Sequence, residues 1–122
     1  MEEKLLRYFS LNDFDSPDEP GSYKNMKRSM MLLIDSIRKD IGRPIIVNSA
    51  YRTEKHNEKV GGVESSSHRN GWALDVHCPD NQFRLAFIKS AIKHGVSRIG
   101  IYRTFIHIDM DPDKPQNTMW YT

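Results

Sequence analysis

SSSHRNGWALDVHC, residues 65–78, is the stretch that organises the chain. Its first half is polar and lacks hydrophobic periodicity, which makes it a loop. Its second half, GWALDVHC at 71–78, alternates loosely as a strand, and a turn at Gly71 separates the two. The loop therefore delivers His68 to the start of a strand on which Asp75 and His77 share one face, because side chains two apart in a strand point the same way. Upstream, IIVNSAY at 45–51 is short, β-branched and apolar, as a buried strand would be, and Arg52 stands at its end. Between these strands TEKHNEKV reads as a short helix opened by Thr53 and broken by Gly61-Gly62.

Downstream, Pro79-Asp80 opens another helix, with Phe83, Phe87, Ile88, Ala91 and Ile92 on its inner face and Gly95 at its end. VSRIGIYRT and FIHIDMD then read as strands joined by a tight connection near Thr104, hence as an antiparallel pair. Earlier in the chain, Met26, Met30, Leu33, Ile34, Ile37 and Ile41 fall at helical spacing, which predicts a helix from about Asn25 to Ile41, stopped by Gly42 and Pro44. Residues 1–22 are polar and turn-rich and predict an irregular arm anchored through Leu5, Leu6, Tyr8, Phe9 and Phe14. The tail is polar until Met119, Trp120 and Tyr121, which are expected to fold back as a hydrophobic patch. Together these elements give an α+β fold, a small antiparallel sheet flanked by helices, in one domain spanning residues 1–122.

Composition narrows the function classes. Hydrophobic residues make up 38% of the chain and charged residues 28%, too apolar for disorder. Eighteen basic against sixteen acidic residues leave a net charge of +2 without a basic run, which argues against nucleic acid as a partner. No stretch approaches the roughly 18 apolar residues of a membrane span, so no stable membrane association is expected. The opening MEEKLLRYFSLNDF lacks the apolar core of a signal peptide, which points to synthesis in the cytoplasm. Cys78 is a lone cysteine and has no internal disulfide partner. A monomer is expected.

Three side chains form a candidate metal set: His68 on the loop, Asp75 in the next strand and His107 in the last strand. Catalytic zinc takes three protein donors and keeps a fourth position for water, and two imidazoles with a carboxylate are a suitable set. His107 and Asp109 share one strand face, as do Asp75 and His77, and neighbouring strands could bring those faces together. A single histidine is more often a satisfied or surface side chain than a ligand, so spacing alone leaves both readings open.

At these residues the sequence resembles the zinc D-Ala-D-Ala carboxypeptidase and L-alanyl-D-glutamate endopeptidase family, peptidases of the hedgehog-like fold. Ser66, His68, Gly71, Ala73 and Asp75 match its Ser-x-His-x-x-Gly-x-Ala-x-Asp pattern, and His107 with Asp109 match the His-x-Asp form of its third-ligand strand. SAYRT is similar to the family's Ser-Gly-Tyr-Arg segment, and HNEKVGGVESSSH to its approach to the first ligand. The matches span about residues 22–121.

The resemblance implies zinc on His68, Asp75 and His107, and hydrolysis of an amide bond in a peptidoglycan stem peptide, by carboxypeptidase or endopeptidase action. It implies that Arg52 faces the cleft to bind a substrate carboxylate or stabilise an oxyanion. Ser66 would line the site or orient the His68 loop. Many members place an acid three residues before the last histidine, and here that residue is Thr104, which cannot accept a proton at neutral pH. Asp109 is then either the general base or a partner that holds a ligand histidine, with His77 as a further proton carrier or substrate contact. A cytoplasmic wall hydrolase needs a route out, as a phage lysis enzyme has. The competing reading is a non-catalytic zinc-containing wall-binding module or a phage structural component.

Overall fold

The computed structural model describes residues 5–122, so the first four residues of the expected N-terminal arm lie outside it. Its elements are α1 (Arg28–Ile41), β1 (Val47–Ser49), α2 (Glu54–Lys59), β2 (Ala73–His77), α3 (Asn81–Lys93), β3 (Arg98–Ile101), β4 (Phe105–Asp109) and β5 (Thr118–Tyr121). The strands form one sheet in the order β1-β2-β4-β3-β5. Every neighbouring pair is antiparallel except β3 and β5, which run parallel.

The two sheet faces differ because the strand sequences alternate. Leu74, Val76, Ile99, Ile106 and Ile108 are buried and join one core with Met30, Ile34 and Ile37 of α1 and Phe83, Phe87 and Ala91 of α3. The opposite face carries Ala73, Asp75 and His77 of β2 and Phe105, His107 and Asp109 of β4. An apolar face under two helices thus leaves the other face to polar and titratable side chains. No helix among the described residues is long and apolar enough to cross a membrane.

The α+β architecture agrees with the sequence reading, with four local differences. Helix α1 begins at Arg28 rather than near Asn25, and Ser22–Asn25 forms a separate 3-10 turn. The reason is that the Lys27 N–H is committed to the Gly71 carbonyl at 3.0 Å, which holds Lys27 extended. On α3 the inner face is Phe83, Phe87, Ser90 and Ala91, while Ile92 is 54% exposed. Ile92 sits about 100° beyond Ala91 around the helix and misses the core. Ser90 is buried because its hydroxyl donates to Asp40 Oδ2 of α1 at 2.7 Å.

The tail is not a folded-back patch. It is β5, with Met119 and Tyr121 exposed and Trp120 turned towards the sheet interior. Finally, the described part of the N-terminal arm is anchored as expected but is not wholly irregular, since Leu11–Phe14 forms a 3-10 turn. Leu6 and Phe14 are buried, Phe14 O accepts from Tyr51 N, and Ser16 Oγ accepts from Thr53 N at the head of α2.

Candidate functional site

The β2–β4 register places Asp75 directly opposite His107. Antiparallel partners bring Cβ atoms within about 5.5 Å, so this pairing alone sets two donors face to face. His68 arrives from the loop. Its Arg52-side strand is linked through Arg52 N donating to His68 O, and Ser66 Oγ accepts from His68 N. The loop then reverses at Gly71, whose φ of +76° is unfavourable for a side chain and whose missing Cβ would strike the Asn25 carbonyl. The result is that His68, Asp75 and His107 each offer a ligand atom, all within 4.8 Å of one another.

Hydrogen bonding fixes which nitrogen of each ring faces the centre. His68 Nδ1 lies 2.8 Å from Ala50 O, and a carbonyl can only accept, so the proton resides on Nδ1. The lone pair on His68 Nε2 then points to Asp75 Oδ2 at 3.3 Å. His107 Nδ1 lies 2.8 Å from Asp75 Oδ1, and its Nε2 lies 2.7 Å from Asp109 Oδ2. A donor held by a backbone carbonyl on one imidazole and by a carboxylate on the other is the arrangement that orients metal-binding histidines.

Ionisation follows from the same contacts. Burial would raise the Asp75 pKa, but the hydrogen bond from His107, with the adjacent His68 ring, outweighs it and holds the carboxyl well below the usual range. Burial pushes His107 down, yet its bonds to Asp109 and Asp75 prevail and raise it. Asp109 is likewise kept ionised against its burial by His107, the Asp111 N–H and Arg98.

The donor set fits zinc. Bonds of about 2.0–2.2 Å to N and O in a tetrahedron separate adjacent donors by roughly 3.3–3.5 Å. The His68 Nε2 to Asp75 Oδ2 distance of 3.3 Å already has that value. A cation among these atoms requires His107 Nδ1 to give up its proton, while Asp109 keeps the proton on Nε2.

A family model described as peptidase M15 matches residues 9–109. The chain belongs to the peptidase M15 family. This is the family of the zinc D-Ala-D-Ala carboxypeptidases, so the sequence resemblance and the match agree. A search of curated proteins finds no match to the chain.

In this M15 peptidase the remaining candidate residues occupy distinct positions. Arg52 is part-buried beside the cluster, with Nη2 3.7 Å from Asp75 Oδ2. Its Nε donates to Ser49 Oγ and its Nη1 to Asn57 Oδ1, each at 3.2 Å. Ser66 is buried and its hydroxyl oxygen accepts from His68 N, which staples the His68 loop. Asp109 is 1% exposed, and besides His107 it accepts from Arg98 Nε at 2.7 Å and Asp111 N at 3.1 Å. This enclosed carboxylate contacts His107 from the Nε2 side, away from the Nδ1 that faces Asp75. His77 lies half-buried on the Asp75 face, and among the described residues its side chain has no hydrogen-bond partner. Thr104 is exposed in the turn between β3 and β4.

Sequence reasoning passed over Ser49, Asn57, Arg98 and the Ala50 carbonyl. A charged Arg98 two residues before Gly100 inside an otherwise apolar strand was a readable signal of a buried ion pair. Asn57 carried none: its importance comes from being buried under Gly62, where any Cβ would collide with the Asn57 amide.

Proposed function

We propose that this M15 peptidase is a zinc enzyme that hydrolyses an amide bond in the stem peptide of peptidoglycan. The observation that carries the reading is the convergence of His68 Nε2, Asp75 and His107 Nδ1, each aimed by its own hydrogen bonds. Zinc bound there would supply Lewis acidity, activating water as the nucleophile and polarising the scissile carbonyl. Arg52, held by Ser49 and Asn57 with its guanidinium beside Asp75, would pair with a substrate carboxylate or the developing oxyanion. His77 is the titratable side chain on this face left free to accept a proton from water and return it to the departing amine. Asp109 holds His107 in the tautomer that leaves Nδ1 as a donor atom.

His107→Ala should lose both zinc content and the release of new amino groups from purified peptidoglycan. An Ala variant that still digested the wall would reject the assignment. Mass spectrometry of the muropeptides would identify the bond, whether at a terminal D-Ala, between L-Ala and D-Glu, or in a cross-link. If the setting is phage lysis, expression should lyse host cells only together with a membrane-pore protein. A second reading, a zinc-containing wall-binding module, is favoured by the exposed Thr104 at the position where many members of the family carry an acid. Zinc retention and wall binding without any bond cleavage would select it.

A further inference from the structure

The family match stops at residue 109, but the chain beyond it returns to the cluster. Strand β5 pairs with β3 so that Trp120 stands beside Gly100, and Gly100 in turn faces His107 across β4. One row across the sheet therefore reads Ser49, Asp75, His107, Gly100, Trp120. A Cβ on Gly100 would lie 2.5–2.8 Å from the indole atoms of Trp120. The indole thus crosses over β3 through the space a side chain would fill, and its ring centroid comes within 5.6 Å of the His107 ring.

Two further contacts fix the indole in that place. Trp120 Nε1 donates to Tyr102 Oη at 3.0 Å, and Tyr102 is itself stacked on Phe105 with centroids 4.4 Å apart. The Arg98 guanidinium lies 5.2 Å from the Trp120 ring, and this is the arginine that donates to Asp109. Trp120 therefore borders both the third candidate ligand and the ion pair that orients it.

We propose that Trp120 is a positioning residue for His107: seated over Gly100 and hydrogen-bonded to Tyr102, it walls one side of the imidazole and keeps Nδ1 aimed at the metal. The inference rests on reading the His68, Asp75 and His107 cluster as a metal centre. Groups that hydrogen-bond a ligand histidine typically change metal affinity by 10–100-fold when altered, and a packed wall without such a bond belongs at the lower end. Trp120→Ala should weaken zinc binding by about 10-fold, read by competition with a chromogenic chelator, and should shift the visible bands of the Co²⁺-loaded protein, which report coordination geometry. Trp120→Phe keeps a ring over Gly100 and should restore most of the affinity. Tyr102→Phe removes only the hydroxyl anchor and should fall between, which keeps a test available should Trp120→Ala fold poorly.

Imidazole ¹⁵N spectra of the zinc-free protein supply a readout that needs no metal. The His107 ring should give one set of signals in the wild type and broadened or doubled signals in Trp120→Ala. Wild-type zinc affinity, cobalt bands and His107 signals in a folded Trp120→Ala variant would overturn the inference. A wild-type chain that takes up neither zinc nor cobalt would instead overturn the metal reading, while the His107 signals would still decide whether Trp120 fixes the ring.

Discussion

Replacing Asp109 with Asn separates an orienting carboxylate from a general base. Asp109 receives three donors: Arg98 Nε at 2.7 Å, Asp111 N at 3.1 Å and His107 Nε2 at 2.7 Å. Asn preserves the shape and one acceptor oxygen, which can still serve Arg98 and the Asp111 N–H. That choice avoids Ala, which would strip the buried Arg98 of its partner, a change that typically destabilises by about 3–5 kcal/mol. The amide nitrogen then falls opposite His107 Nε2, where a donor meets a donor. The conflict is relieved when the ring shifts its proton to Nδ1, the atom that faces Asp75. A protonated Nδ1 cannot ligate, so metal binding must reverse the shift and carry its energy. The expected penalty is the 10–100-fold typical of an orienting partner, about 1.4–2.7 kcal/mol. Zinc titration against a competing chelator reads it directly, and saturating zinc should restore a large part of turnover. Wild-type zinc affinity combined with lost turnover would refute this reasoning and return Asp109 to the role of base.

Other substitutions probe separate links. Arg52→Lys replaces a two-armed donor with a point charge and should lower kcat/KM by roughly 10²-fold with zinc content unchanged, measured by steady-state kinetics on a muropeptide; unaltered kinetics would remove Arg52 from the chemistry. Gly71→Ala combines a positive φ with a collision at the Asn25 carbonyl, and should destabilise by at least ~1–2 kcal/mol, visible as a lower Tm; an unchanged melt would show that the loop can reverse elsewhere. Asp80, bonded to Arg43 and to the Phe83 N–H at the head of α3, has its pKa lowered from 3.8 to about 2. A lowered carboxylate pKa contributes stability that is present above 3.8 and disappears as pH falls through about 2. Asp80→Asn should therefore flatten the acid limb of stability in that window, and parallel unfolding curves for the two proteins would contradict the assignment.

The parts of the fold that were readable from sequence are those set by local periodicity. The apolar spacing from Met30 to Ile37, the Thr53 and Asp80 caps, and the alternation of ALDVH and FIHID each reflect neighbours along the chain. The three candidate ligands were readable in a different way: alternation placed Asp75 and His107 on strands, but His68 lies on an aperiodic loop, and it was the resemblance that joined the three. Depth within the fold was not readable. Alternation showed that Asp109 shares a face with His107, but its enclosure depends on Arg98 from a strand paired by register. The tail was misjudged because TMWY is a short edge strand whose exposed Met119 and Tyr121 resemble a loose patch. Trp120 gained its place from Gly100, a lateral relation that no window along the chain contains. Lys27 likewise was taken from the helix by Gly71, distant in sequence.

Strands β2 and β4 carry the chemistry on one side and Leu74, Val76, Ile106 and Ile108 on the other. Because side chains alternate, sliding either strand by a single residue would turn these aliphatics to water and sink Asp75 and His107 into oil. A misaligned version is thus rejected by the fold before it can fail as a catalyst. Packing acts here as a proofreader for the reaction centre, and substitutions in the aliphatic layer that loosen its preference for one alignment should degrade activity well before they unfold the molecule.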